Sequence, residues 1–181
     1  MNSIMTDLHT DHENFVKLIK LLEKLLDKFE HDDDAPDLHL MLDIIDYVER
    51  YPDLIHHPKE DLIFTVYLNK SQDIPKVIEQ LQLDHEEFPK MRQEIHQLLE
   101  GFILDVGLYP RKAFSNKVRA YLQRQLDHLN TEENALFPHI IETLSDDDWN
   151  EIATKMPEAN DPLFGERVSD RYKSLLNQLI S

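Results

Sequence analysis

Cysteine is absent from this chain of 181 residues. That excludes a disulfide framework, a thiolate zinc site and an iron–sulfur cluster. Glycine is almost absent too, with three residues, one of them Gly101 just past an apolar periodic run. Long β-branched runs are missing, whereas Leu, Glu, Lys, Gln and Asp abound, a balance that favours helices. No stretch approaches the roughly 18 uninterrupted apolar residues of a membrane-spanning helix. No basic region leads into an apolar one at the N-terminus, so no signal peptide is read and the cytoplasm is the expected compartment. Positive charge is scarce: the net charge is −17, with no Lys/Arg cluster. Nucleic acids and anionic membranes are therefore not expected partners. Most of the acidity is ascribed to solubility.

What is present is apolar periodicity. Leu8, His12, Phe15, Ile19, Leu22, Leu26 and Phe29 alternate steps of four and three, the stripe of a packed helix with a histidine inside it. Thr6 or Asp7 is its candidate cap, and residues 31–37 read as a solvated loop. A second helix starts near Leu38 with Met41, Ile45 and Val48 inward. Pro52 and Pro58 should kink it or split it, and it resumes through Glu60, Ile63 and Tyr67. A third carries Ile78, Leu81, His85, Phe88, Arg92, Ile95, Leu99 and Phe102, distorted by Pro89 around the carbonyl of His85 and ending in a loop over 101–107. A fourth, with Pro110 in its first turn, places Val118, Tyr121, His128, Glu132, Ala135 and His139 near one face and runs to about Leu144. Ser145 followed by three aspartates reads as a cap with an acidic first turn, opening a short helix through Trp149 and Ile152. A last amphipathic helix is expected from about Phe164 to Ile180, packed on the bundle or on a partner chain. The predicted fold is all-α: an antiparallel up-down-up-down four-helix bundle over residues 1–145 and a C-terminal helical extension over 146–181. The stripes suit an intramolecular bundle and a homodimer equally.

Chemistry enters with HxxxE, which occurs twice: His56 with Glu60, and His128 with Glu132. A lone stripe histidine precedes each pair, His12 and His85. The intervals agree, 73 residues from His12 to His85 and 72 for both members of the pairs. Residues four apart lie on one helix face. Four histidines and two carboxylates in an apolar core are costly without compensation. A metal pair supplies it, with two imidazoles per ion and the glutamates bridging. Imidazole plus carboxylate suits iron, with manganese or zinc as substitutes. A single stripe histidine is more often a hydrogen-bonded core residue. Six residues at matched intervals are harder to explain that way. His57 and Asp61 share the spacing and rival His56 and Glu60, and His9 is a further candidate ligand or supporting residue. His31, His39, His96 and His139 are read as surface or core histidines.

The order H…HxxxE…H…HxxxE, carried by DHENF, HHPKED, LDHEEF and HLNTEENALFP, resembles the hemerythrin-like family of HHE cation-binding domains over roughly residues 6–144. The resemblance implies a bundle around a non-haem diiron centre, with His12, His56, Glu60, His85, His128 and Glu132 as matching ligands. The family's oxygen carriers have a fifth histidine one turn after the helix-three ligand. Pro89 stands there and cannot ligate, which shifts the expectation from reversible oxygen carriage towards sensing, iron handling or stress repair. The leading expectation is a diiron protein binding or sensing O2, NO or peroxide. An iron store or donor is the alternative, and a helical interaction module with structural or no metal is the third. No second acid–base or cofactor motif supports a named reaction, so binding rather than catalysis is expected.

Overall fold

The first helix shows how closely the chain follows its apolar stripe. In the computed structural model, which describes residues 2–31, 37–71, 73–106, 109–157 and 160–180, α1 spans Ser3–His31. All seven predicted stripe positions are buried. The helix begins earlier than expected because Asn2 caps it: its side-chain oxygen accepts the Ile4 N–H at 2.9 Å. Thr6 and Asp7 lie inside the helix instead. The predicted loop at 32–36 falls outside the described residues. Asp37, at its end, caps α2 (Leu38–Arg50) by accepting the Leu40 N–H at 2.9 Å.

The two prolines of the second stretch split it as predicted, through a π-helical turn over Pro52–His56 that leads into α3 (His57–Leu68). Proline cannot donate and its ring presses on the carbonyl four residues back. Just before Pro58 the backbone bonds reach five residues back, His56 N–H to the Tyr51 carbonyl and His57 N–H to the Pro52 carbonyl. The widened turn accommodates the ring. The fourth stretch repeats the device. There α5 (Arg111–Thr131) passes through a π-helical turn at Glu132–Leu136 into α6 (Phe137–Thr143), with Pro138 directly after it and Phe137 N–H on the Glu132 carbonyl. The extra residue rotates the inner face, so Leu136, Phe137 and Ile140 are buried while Ala135 and His139, expected near the face of His128 and Glu132, are exposed. Pro110 is the N-cap, in extended conformation, rather than a first-turn residue.

Between them α4 runs unbroken through Pro89, from Pro75 to Ile103. Its end lies past Gly101, and Asp105, not a glycine, takes the left-handed position there with φ 53°. Beyond the fourth stretch, α7 (Asp146–Lys155) has the predicted cap. Ser145 Oγ accepts the Asp148 N–H, and the Asp148 carboxylate accepts the Ser145 N–H. The last helix is shorter than predicted: α8 spans Lys173–Ile180 after one 3-10 turn at Asp170–Tyr172. Residues 161–169 form turns because Asp161 holds the N–H groups of Leu163 and Phe164 at 2.7 and 3.0 Å.

Helix α1 packs on α2 and α5, α4 packs on α2, α3 and α5, and α8 lies against α1 and α2. No strand occurs among the described residues, and no helix there is long and apolar enough to cross a membrane. Two apolar clusters result. One gathers Phe15, Phe29, Tyr47, Phe88 and Tyr121, and the other Leu8, Phe64, Leu81, Leu136 and Phe137. Side chains from both clusters flank a layer of buried polar side chains.

Candidate metal centre

That layer contains the six residues singled out from the sequence. His12 on α1, His56 in the first π-helical turn, Glu60 on α3, His85 on α4, His128 on α5 and Glu132 in the second π-helical turn come together. Glu60 and Glu132 have no exposed surface. His12 Nε2 lies 3.0 Å from His56 Nε2, and Glu60 Oε1 is 3.2 and 3.1 Å from the two. On the other side His85 Nε2 lies 3.2 Å from His128 Nε2, with Glu132 Oε1 3.3 Å from the latter. The glutamates reach across: Glu60 Oε2 is 3.6 Å from His85 Nε2, and Glu132 Oε2 is 3.5 Å from His12 Nε2. Aromatic rings line the layer. Phe137 stacks on His12 at 5.5 Å, Phe64 on His85 at 6.1 Å, and Phe88 meets His128 edge-on at 5.1 Å.

The other nitrogen of each ring points outward to a carboxylate. His12 Nδ1 donates to Glu133 at 2.8 Å, His56 Nδ1 to Asp11 at 3.0 Å, His85 Nδ1 to Asp61 at 3.0 Å, and His128 Nδ1 to Asp84 at 3.2 Å. The acids are held in turn. Tyr51 Oη donates to Asp11 at 3.1 Å, and the Arg124 guanidinium donates to Asp84 at 2.6 Å. An ionised carboxylate only accepts, so each Nδ1 must carry the proton. A neutral imidazole then presents a bare lone pair at Nε2. With all four rings neutral, two such lone pairs would face each other on each side, with carboxylate oxygens beside them. Glu60 Oε2 and both oxygens of Glu132 are buried without a hydrogen-bond partner. Buried acceptors gathered around a point with nothing to donate to them fit a cation. Outward Nδ1–carboxylate bonds are the usual support of metal-bound histidines.

In the metal-free chain the same carboxylates favour a proton where a cation would sit. Burial opposes charge on His12 and His128, but the carboxylates around them prevail and raise both to about 10. For His12 these are Glu133, Glu60 and Glu132; for His128, chiefly Glu132 and Asp84. Burial likewise opposes ionisation of Glu60, and His56 and His12 hold it well below the usual carboxylate range.

This is an HHE pattern in three dimensions, and the family model for the Hemerythrin HHE cation binding domain matches residues 3–140. The chain belongs to the hemerythrin HHE family. No curated protein and no solved structure matches it. Membership implies cation binding, and the buried His/Glu cluster of this hemerythrin-type domain fits a metal site.

The remaining candidates fall outside the inner six in different ways. His9 is half exposed and meets Glu133 at 3.1 Å, so it supports the acid that supports His12. Asp61 faces His85 Nδ1, on the outer side of that ring. His57 is buried, stacked on His85, and burial keeps its pKa well below the ordinary value. Of the four outer acids only Asp61 was singled out from the sequence, as a rival ligand, although a signal for all four was present. Asp11, Asp61, Asp84 and Glu133 are each the chain neighbour of one of the six.

Proposed function

We propose that this chain is a dinuclear non-haem iron protein of the cytoplasm that binds or senses O2, NO or peroxide in the core of an antiparallel up-down-up-down bundle. One observation carries the reading: two facing pairs of imidazole Nε2 atoms are spanned by two glutamates, each with one oxygen towards either pair. This suits two cations better than one. His12 and His56 would hold one ion, His85 and His128 the other, and Glu60 and Glu132 would bridge. Manganese or zinc could occupy the same donors. When bound, a ferrous pair supplies the electrons that O2, NO or peroxide can accept.

The chain supplies the rest. Outer carboxylates fix each ring's tautomer and orientation. Phe64, Phe88 and Phe137 limit water at the inner layer. A surface cavity of about 330 Å³ lined by Asp61, His85 and Glu86, among others, gives a small ligand a route to the His85 side. The bundle topology is supported by the packing of α1 on α2 and α5 and of α4 on α2, α3 and α5.

The second reading, an iron store or donor, is favoured by that same cavity. Asp53, Asp61 and Glu86 line it, no lysine or arginine does, and it leads to a candidate ligand. Ferrous loading without air, followed by admission of oxygen and then a chelator, separates the readings. Two irons per chain and a ferric spectrum that resists the chelator support ligand binding or sensing. Ready release to the chelator supports storage. A chain that takes up no iron defeats both.

A further inference from the structure

Outside the His/Glu layer, the apolar core holds a cavity of about 30 Å³ between α1, α2 and α5. Leu18 and Leu22 of α1, Ile44 and Ile45 of α2 and Leu122 of α5 are among its walls, all buried. No acidic or basic side chain of the described residues lines it. Its two polar walls satisfy one another, since Gln125 Nε2 donates to Tyr121 Oη at 3.0 Å. A single water needs roughly 10–15 Å³ on this kind of measure, and it also needs several polar partners. The cavity therefore has room for one very small molecule and little to offer a polar one. Of its lining, Val48 and Gln125 alone are not fully buried, and they mark where such a molecule can enter.

One wall is shared with the candidate centre. The Phe15 ring lines the cavity and also meets His56 edge-on, centroids 4.9 Å apart, with His12 at 6.3 Å. The stripe of α1 produces this, because Phe15 follows His12 by about one turn and Leu18 and Leu22 continue the same face.

We infer that this cavity is a docking site for one apolar diatomic gas molecule, O2 or NO, and that it delivers the gas past Phe15 to the His12–His56 side. Delivery rests on the dinuclear reading, whereas docking does not. Hydrogen peroxide donates and accepts hydrogen bonds and would have to give them up here. It is left to the polar route on the other side, lined by Asp61 and Glu86.

Docking is tested with xenon, an apolar probe that needs no metal, on the full metal-free chain. Methyl NMR shifts are followed against xenon pressure. Saturating shifts at Leu18, Ile45 and Leu122 are expected, and they should vanish in Ile45→Phe, whose ring fills the cavity. Val48→Ile is a milder filling should the larger ring disturb the fold, and circular dichroism reports helicity for both. Shifts that never saturate and spread over the surface would overturn the site. Delivery is tested by stopped-flow reaction of ferrous-loaded protein with O2, NO and peroxide in turn. A filled variant should react severalfold more slowly with the gases, with its peroxide rate and iron per chain unchanged. Slowing with one gas alone assigns the cavity to that gas. Unchanged gas rates in a variant that no longer binds xenon, or equal slowing with peroxide, would overturn delivery. If the wild type takes up no iron, the dinuclear reading and delivery fail together, and the xenon result still decides docking.

Discussion

Each of the four inner imidazoles divides its work between two nitrogens, and the division sets what substitutions there should do. His128→Ala removes one lone pair from the centre and leaves Glu132 and Asp84 facing a void. Iron retention should fall sharply, and unchanged iron per chain would show that His128 is no ligand. Asp84→Asn keeps the shape but weakens the bond that orients His128. Loss of such a support typically lowers metal affinity by about 10–100-fold. A competition titration with a chelator measures the change, and an unaltered affinity would count against the supporting role. The pH dependence follows from His12 and His128, both raised to about 10. Their folded values lie above the ordinary 6.5, so their contribution to the stability of metal-free protein is complete below pH 6.5. It is lost as the pH rises towards 10. The melting temperature of metal-free protein should therefore fall across pH 7–10, with a shallower slope in His128→Gln. Metal competes with those protons, so loading near pH 8 should release protons into a weakly buffered solution.

Elements are where reading the sequence succeeded and where it stopped. The stripe of α1 was legible because a long helix packed on one side repeats its apolar positions every three or four residues. His56 with Glu60, and His128 with Glu132, were legible because a four-residue spacing means one face. The π-helical turns were not. An i to i−5 turn has no composition of its own, and the prolines that accompany it equally suit a kink. That one extra residue moved Ala135 and His139 to the surface and brought in Leu136 and Phe137. Adjacent residues such as His56 and His57 differ in destination by a helical twist that spacing alone does not resolve. The cap of α7 was legible from the side chains at its start. Ser145→Ala should destabilise the folded chain by about 0.5–2 kcal/mol. Urea unfolding would read this, and a loss well outside that range would mean that the capping box is not the main role of Ser145.

Across the whole molecule, the C-terminal segment and the centre depend on different contacts. Leu163, Tyr172 and Leu175 are almost fully buried against the cluster that includes Phe15 and Tyr47, and Tyr47 Oη donates to Asp161 at 2.8 Å. Leu175→Ala should cost about 2–5 kcal/mol of stability, while iron per chain in the folded fraction stays the same. A parallel fall in both would tie the segment to the centre. The outer carboxylates link the stretches differently. Asp11 on α1 holds His56, Asp61 on α3 holds His85, Asp84 on α4 holds His128, and Glu133, after α5, returns to His12. The links close into a ring that includes all four helical stretches, and its last link spans 121 positions of sequence. A chain still emerging from the ribosome, with only its first three stretches made, has no Glu133 to set His12 and no His128 for Asp84 to set. On the dinuclear reading, the full set of six donors with their outer supports is complete only once the fourth stretch has been made.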